Sequence, residues 1–168
     1  MNDALLDAFR HNIWATKELL AACRELSDEQ LGASASGSYG DVLATFNHLV
    51  RSDAAYLRRL SGIATPWVDL DEQVGIAELL ARANEAGAIW ERYLAGPIDA
   101  DRIFIVDEGT YRVMAGVLIA QALNHGNVHR EQICANLTAA GIEPPDLQGW
   151  AYGEATGRGG PIDAGADA

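Results

Sequence analysis

Asn124-His125-Gly126-Asn127-Val128-His129-Arg130-Glu131-Gln132-Ile133 sets two imidazoles four residues apart inside a long, otherwise apolar segment. The segment reads as a helix from about Tyr111 or Val113 to Ala140, closed by Gly141. Residues at i and i+4 of a helix have Cβ atoms about 5–6 Å apart. One ion could therefore take a nitrogen from each ring at a Zn–N length of about 2.0–2.1 Å. On the helical wheel Gln121, His125, His129, Gln132 and Asn136 share one narrow polar sector, while much of the remaining circumference is apolar. This helix is expected to be the most buried of its fold.

Working outward, three more helical patterns precede it. From Asp3 to about Leu26, Leu6, Phe9, Ile13, Leu20 and Cys23 recur at helical offsets, and His11 and Trp14 flank that stripe where they could face a pocket. Ser27-Asp28-Glu29-Gln30 has capping-box spacing and opens a short helical turn. A second long helix is expected with Ser38 as N-cap, running to Ser61 and stopping at Gly62. Its stripe is Val42, Phe46, Leu49, Leu57 and Leu60, interrupted by Asp53, whose carboxylate needs a partner if buried. His48 falls off the centre of that stripe, at an edge of the bundle or facing a groove. A third helix covers roughly Val74 to Leu94 and ends before Gly96-Pro97. Between the third and last helices, Arg102-Ile103-Phe104-Ile105-Val106 reads as an extended segment or small hairpin strand.

The fold class is accordingly all-α: a four-helix bundle with a short extended segment before the last helix. One domain is expected over 1–155, with Trp150 and Tyr152 folding back on it, and a flexible tail over 156–168. The 168 residues suffice for a core without disulfides or a structural metal. A net charge of −12, with no run of Lys or Arg, opposes binding to nucleic acid or to anionic lipid. No apolar run is long enough for a membrane span, and Met1-Asn2-Asp3 lacks signal-peptide character, so a cytoplasmic location is expected. Cys23 and Cys134 match no zinc or redox spacing and read as small fillers.

The two histidines of the last helix fit either a metal site completed by a histidine from another helix, His11 or His48, or a hydrogen-bonded polar core network. No Gly-rich phosphate loop, Ser or Cys nucleophile signature, or Cys cluster competes with them. Glu131 points to another face of the helix and is assigned no role.

Phe46-Asn47-His48-Leu49-Val50, the stretch from Asn124 to Ile133, and Leu137 to Gly141 with Pro144-Pro145-Asp146 together resemble the DinB-like family of four-helix-bundle metalloenzymes. Asn12-Ile13-Trp14-Ala15 and Ser38-Tyr39-Gly40 extend the resemblance over nearly the whole domain. It implies a divalent metal ion, zinc or nickel, held by His48, His125 and His129. It also implies a thiol S-transferase-like activity on a small-molecule substrate, with a low-molecular-weight thiol as cosubstrate, and a homodimer. His11, Trp14, Asp53, Tyr56 and Gln132 are candidates for the pocket wall or for contacts to the ligands. Substrate choice is expected from the loop around Pro66-Trp67, the segment from Ile103 to Gly109 and the tail near Trp150. Two other classes use the same residues: a metal-dependent hydrolase acting through water, and a non-catalytic metal-binding or stress-response bundle. Because imidazoles protonate near their ordinary pKa of about 6.5, metal affinity is expected to decline as the pH drops through about 6–6.5.

Overall fold

A computed structural model describes residues 3–161. Four long helices, α1 (Asp3–Ala22), α3 (Val42–Ser61), α4 (Ile76–Ala95) and α5 (Ala115–Ala139), form the expected bundle. Smaller elements accompany them: α2 (Asp28–Leu31), a 3-10 turn over Pro66–Asp69, a hairpin of β1 (Ile103–Val106) and β2 (Tyr111–Met114), and α6 (Gly149–Ala155). Helix α1 packs on α4 and α5, and α3 on α4 and α5, so each long helix has two neighbours. Among the described residues no helix is long and apolar enough to cross a membrane.

Helix boundaries follow the caps. Ser27 and Gln30 close the expected capping box of α2. For α3 the expected N-cap is corrected: the cap is Asp41, whose Oδ1 accepts from the Ala44 N–H at 2.7 Å, while Ser38 spends its hydroxyl on the carbonyls of Ala35 and Gly40. A carboxylate accepts the orphan N–H more strongly than a hydroxyl does. Gly62 ends α3 in the left-handed region, φ 72°, as its position in sequence requires. Helix α4 starts at Ile76 rather than Val74. The Asn47 amide accepts the Val74 N–H and donates to its carbonyl at 2.9 and 3.0 Å, removing that residue from the helix. The last helix begins at Ala115, because Tyr111 to Met114 pair antiparallel with β1 in the register Ile103 to Met114 and Val106 to Tyr111. The extended segment is thus a complete hairpin, with Val106 and Val113 turned into the core and Ile103 and Ile105 outward.

Helix α5 is not the most buried: ten of its 25 residues are buried, the same share as eight of 20 in α3. Val117 and Val128 lie on its exposed side. The tail folds back through α6 onto α1, with Tyr152 against His11 and Trp14, while Trp150 stays exposed. Arg158 pairs with Asp7 of α1, so the chain just beyond Ala155 keeps contact with the bundle. Residues 162–168 of the expected tail lie outside the described residues. Cys23 is fully buried and Cys134 partly so; burial pushes their thiols up to about 12 and about 11, which keeps them protonated fillers.

Two apolar clusters fill the bundle. One gathers Phe9, Leu57, Trp90, Leu94 and Leu118 near the hairpin; the other gathers Leu19, Phe46, Leu49, Leu79 and Ile133. Polar residues form a waist in the interior. Arg130 Nη1 donates to the Asn12 carbonyl at 3.2 Å, to Asn12 Oδ1 at 2.8 Å and to Thr16 Oγ1 at 3.0 Å, and Nη2 donates to Asn127 Oδ1 at 2.5 Å. A cavity of about 20 Å³, room for a single water molecule, lies beside Asn12, Thr16 and Asp53. Gly126 permits the close approach of α1 and α5, since a Cβ there would collide with the Asn12 amide.

Candidate metal centre

Helices α3 and α5 lie side by side, and His48 from the first meets His125 and His129 from the second. One ligand nitrogen from each ring lies within 4.8 Å of the others. His48 Nε2 and His125 Nε2 stand 3.0 Å apart, close to the roughly 3.3 Å edge of a tetrahedron with Zn–N bonds of about 2.05 Å. His129 Nδ1–H donates to Gln132 Oε1 at 2.8 Å, which leaves Nε2 as the free lone pair. The donor set therefore suits a borderline divalent cation, and these three histidines could hold one. His48 and His125 are half-buried and His129 is buried, so the rings share an edge of the bundle rather than its centre.

The protonation states agree with that use. Burial pushes His125 down to about 4, helped by repulsion from His129 and His48. Burial also lowers His48, with smaller contributions from His129 and Arg51. It lowers His129 too, against the opposing bond to Gln132. All three rings are neutral at pH 7 and present lone pairs.

Tyr39 stacks on the His48 ring at 4.1 Å and 19°, and meets His129 edge-on at 5.4 Å. It sits on the loop before α3, which Asn136 pins from α5: its Oδ1 accepts from the Ala35 N–H at 2.8 Å and its Nδ2 donates to the Gly40 carbonyl at 2.9 Å. Asn136, one of the polar sector, thus fixes the loop that covers the histidines. Tyr39 is a site residue that periodicity does not reveal; its signal in the sequence is an aromatic residue just before a histidine-bearing helix. A groove of about 300 Å³ opens beside His48, lined by Tyr39, Asn47, Arg51 and the segment Asp71 to Gln73.

The remaining candidates divide. Gln132 is bonded to His129, and Tyr56 packs its edge on His125 at 5.7 Å. Asp53 turns away from the histidines and accepts from Trp90 Nε1–H at 2.9 Å through Oδ2, while its buried Oδ1 has no protein partner. Desolvation raises its pKa to about 6, opposed by the Trp90 bond and by Arg130. His11 and Trp14 belong to the seam of α1 with the tail, where His11 Nε2 bonds the Leu147 carbonyl at 2.7 Å. Neither makes a hydrogen bond or ring contact with the cluster, because their positions on α1 face α6. Of the expected specificity segments, only the end of the loop after α3 reaches the groove; residues 103–109 and Trp150 do not line it.

With this geometry stand two similarities. The chain is similar to Protein DinB of Bacillus subtilis (strain 168), 23% identical over 157 residues that span 84% of this chain and 88% of the relative. A sequence model described as the DinB family matches residues 1–163. A match over nearly the whole chain, on a helical bundle that gathers His48, His125 and His129, means that the protein belongs to the DinB family.

Proposed function

We propose that this protein is a divalent-metal-dependent enzyme of thiol S-transferase type, acting on a small molecule in the cytoplasm as a homodimer. Three neutral imidazoles converge in a DinB-family chain, and one of them, His48, lines an open groove; that convergence carries the proposal. Zinc and nickel are among the ions that imidazole nitrogens suit, and the family resemblance favours them. When bound, such an ion supplies a Lewis-acidic centre with an open position, able to lower the pKa of a thiol or of water.

The chain's own groups do the rest. Gln132 fixes the tautomer and orientation of His129. Tyr39 covers one face of His48 and limits water on that side. Tyr56 bounds His125. In the proposed transfer the thiol loses its proton to solvent in the groove, its sulfur forms a bond to the electrophilic carbon of the acceptor, and the leaving group departs with the bonding pair.

The test begins with metal content. Protein purified without a histidine tag is expected to carry one divalent ion per chain, lost in His48→Ala and His125→Ala. The loaded protein is then assayed on a halogenated aromatic electrophile with and without added thiol. Release of halide only with thiol supports the transferase. Ester or amide turnover without thiol would replace it with the hydrolytic reading, and tight metal without turnover of either kind would reduce the protein to a metal-binding bundle.

A further inference from the structure

The groove that His48 lines has a charge pattern of its own. Arg51 lies one turn after His48 on α3, so the two side chains share a face and line the same groove. The opposite wall is held in place before any ligand arrives: the Asn47 amide clamps Val74 to α3 by two hydrogen bonds, at 2.9 and 3.0 Å. Of the two acids on that wall, Glu72 is engaged by Arg82 at 2.6 Å and is neutralised there. The other, Asp71, meets Arg51 Nη1 at 3.2 Å but projects fully into solvent. An ion pair that exposed is weak and readily exchanged. Nη1 also donates to the Leu70 carbonyl at 3.3 Å, while Nε and Nη2 of Arg51 make no hydrogen bond among the described residues. One side of the guanidinium fork is free, and its planar geometry matches a carboxylate.

We infer that the groove selects an acidic substrate, whose carboxylate is taken by the free side of the Arg51 fork while its thiol reaches the three-histidine centre. This rests on the thiol-dependent reading above and adds a substrate class and a specificity-determining residue to it. Arg51 and the ion on the histidines then face one ligand, and Asp71, bonded at Nη1 on the other side of the fork, is a like charge that the incoming carboxylate competes with.

The experiment is a titration of cobalt-loaded protein, followed by its visible spectrum, with 3-mercaptopropionate and with 2-mercaptoethanol, similar in size but differing in the carboxylate. The acid is expected to bind roughly tenfold more tightly, the scale of one charge-assisted hydrogen-bonded contact. In Arg51→Met, checked for unchanged cobalt content, that preference should vanish while 2-mercaptoethanol binding stays the same. Asp71→Asn, which removes the competing carboxylate, should tighten the acid alone. Equal binding of the two thiols, or a preference that survives in Arg51→Met, overturns the inference and leaves the thiol reading standing. A cobalt spectrum that neither thiol perturbs overturns both.

Discussion

Two polar clusters of the described residues share helix α5, one formed with α1 and the other with α3, and they are built to opposite ends. At the interior waist, Arg130 spends its Nη donors on Asn12, Thr16 and Asn127, and Asn12 accepts through both its carbonyl and its side chain. At the α3 and α5 edge, His48 and His125 have only each other at 3.0 Å, Tyr39 offers a ring face rather than a donor, and His129 keeps one nitrogen free. A network whose members satisfy one another specifies a packing. A cluster whose lone pairs converge without partners, beside a groove, is available to a ligand. The two histidine-bearing turns of α5 therefore share a sequence neighbourhood with Arg130 but not a purpose: adjacent residues of a helix point about 100° apart.

That contrast can be broken by experiment. The largest effect is expected from Arg130→Met, which leaves Asn12 Oδ1 without its donor in the interior and should cost about 2–3 kcal/mol in urea unfolding, the scale of a buried acceptor left unsatisfied. His125→Ala should do the reverse. Its zinc affinity in a chelator competition is expected to fall by more than about 100-fold, beyond the 10–100-fold typical of outer contacts, while metal-free stability moves by less than about 1 kcal/mol. A loss of stability comparable to that of Arg130→Met would make the histidines a folding element instead.

Asp53 sharpens the comparison through pH. Its raised pKa, about 6 against 3.8 unfolded, means that it favours folding below pH 3.8 and that this contribution is lost as the pH rises through 6. Asp53→Asn should consequently be more stable than the wild type at pH 8, by on the order of 2 kcal/mol, with the gain gone near pH 4. The histidines have the opposite sign. With their pKa values depressed, and that of His125 near 4, the metal-free protein loses stability as the pH falls from 6.5 toward 4. Urea midpoints across pH 4 to 8 for both chains separate the two effects. The smallest change is expected from Gln132→Leu: roughly tenfold weaker zinc binding with one ion per chain retained, because the lost bond orients His129 without replacing it as a ligand.

Four long helices were legible in the sequence because each writes its buried face as a 3.6-residue stripe, and Val42, Phe46, Leu49, Leu57 and Leu60 are all buried as that stripe requires. The histidine spacing was legible for the same reason, since i and i+4 share a face. The start of α3 was not, because Ser38 and Asp41 are both competent caps and only the chain's path decides which reaches a free N–H. The roles of Asp53, His11 and Trp14 were also hidden. Periodicity places a residue on a face of its own helix but does not say which neighbour that face will meet.

The amino-acid sequence by itself determined the all-α class, the order of the helices and the pair of imidazoles on α5, since these follow from local periodicity and capping. Only the tertiary structure decided that His48 rather than His11 meets that pair, that Tyr39 lies over it, and that Asp53 faces Trp90 in the interior. Those outcomes depend on which helices are neighbours. Neighbours are fixed by the packing of the whole core, with close approaches such as Gly126 against Asn12, and not by any segment read alone.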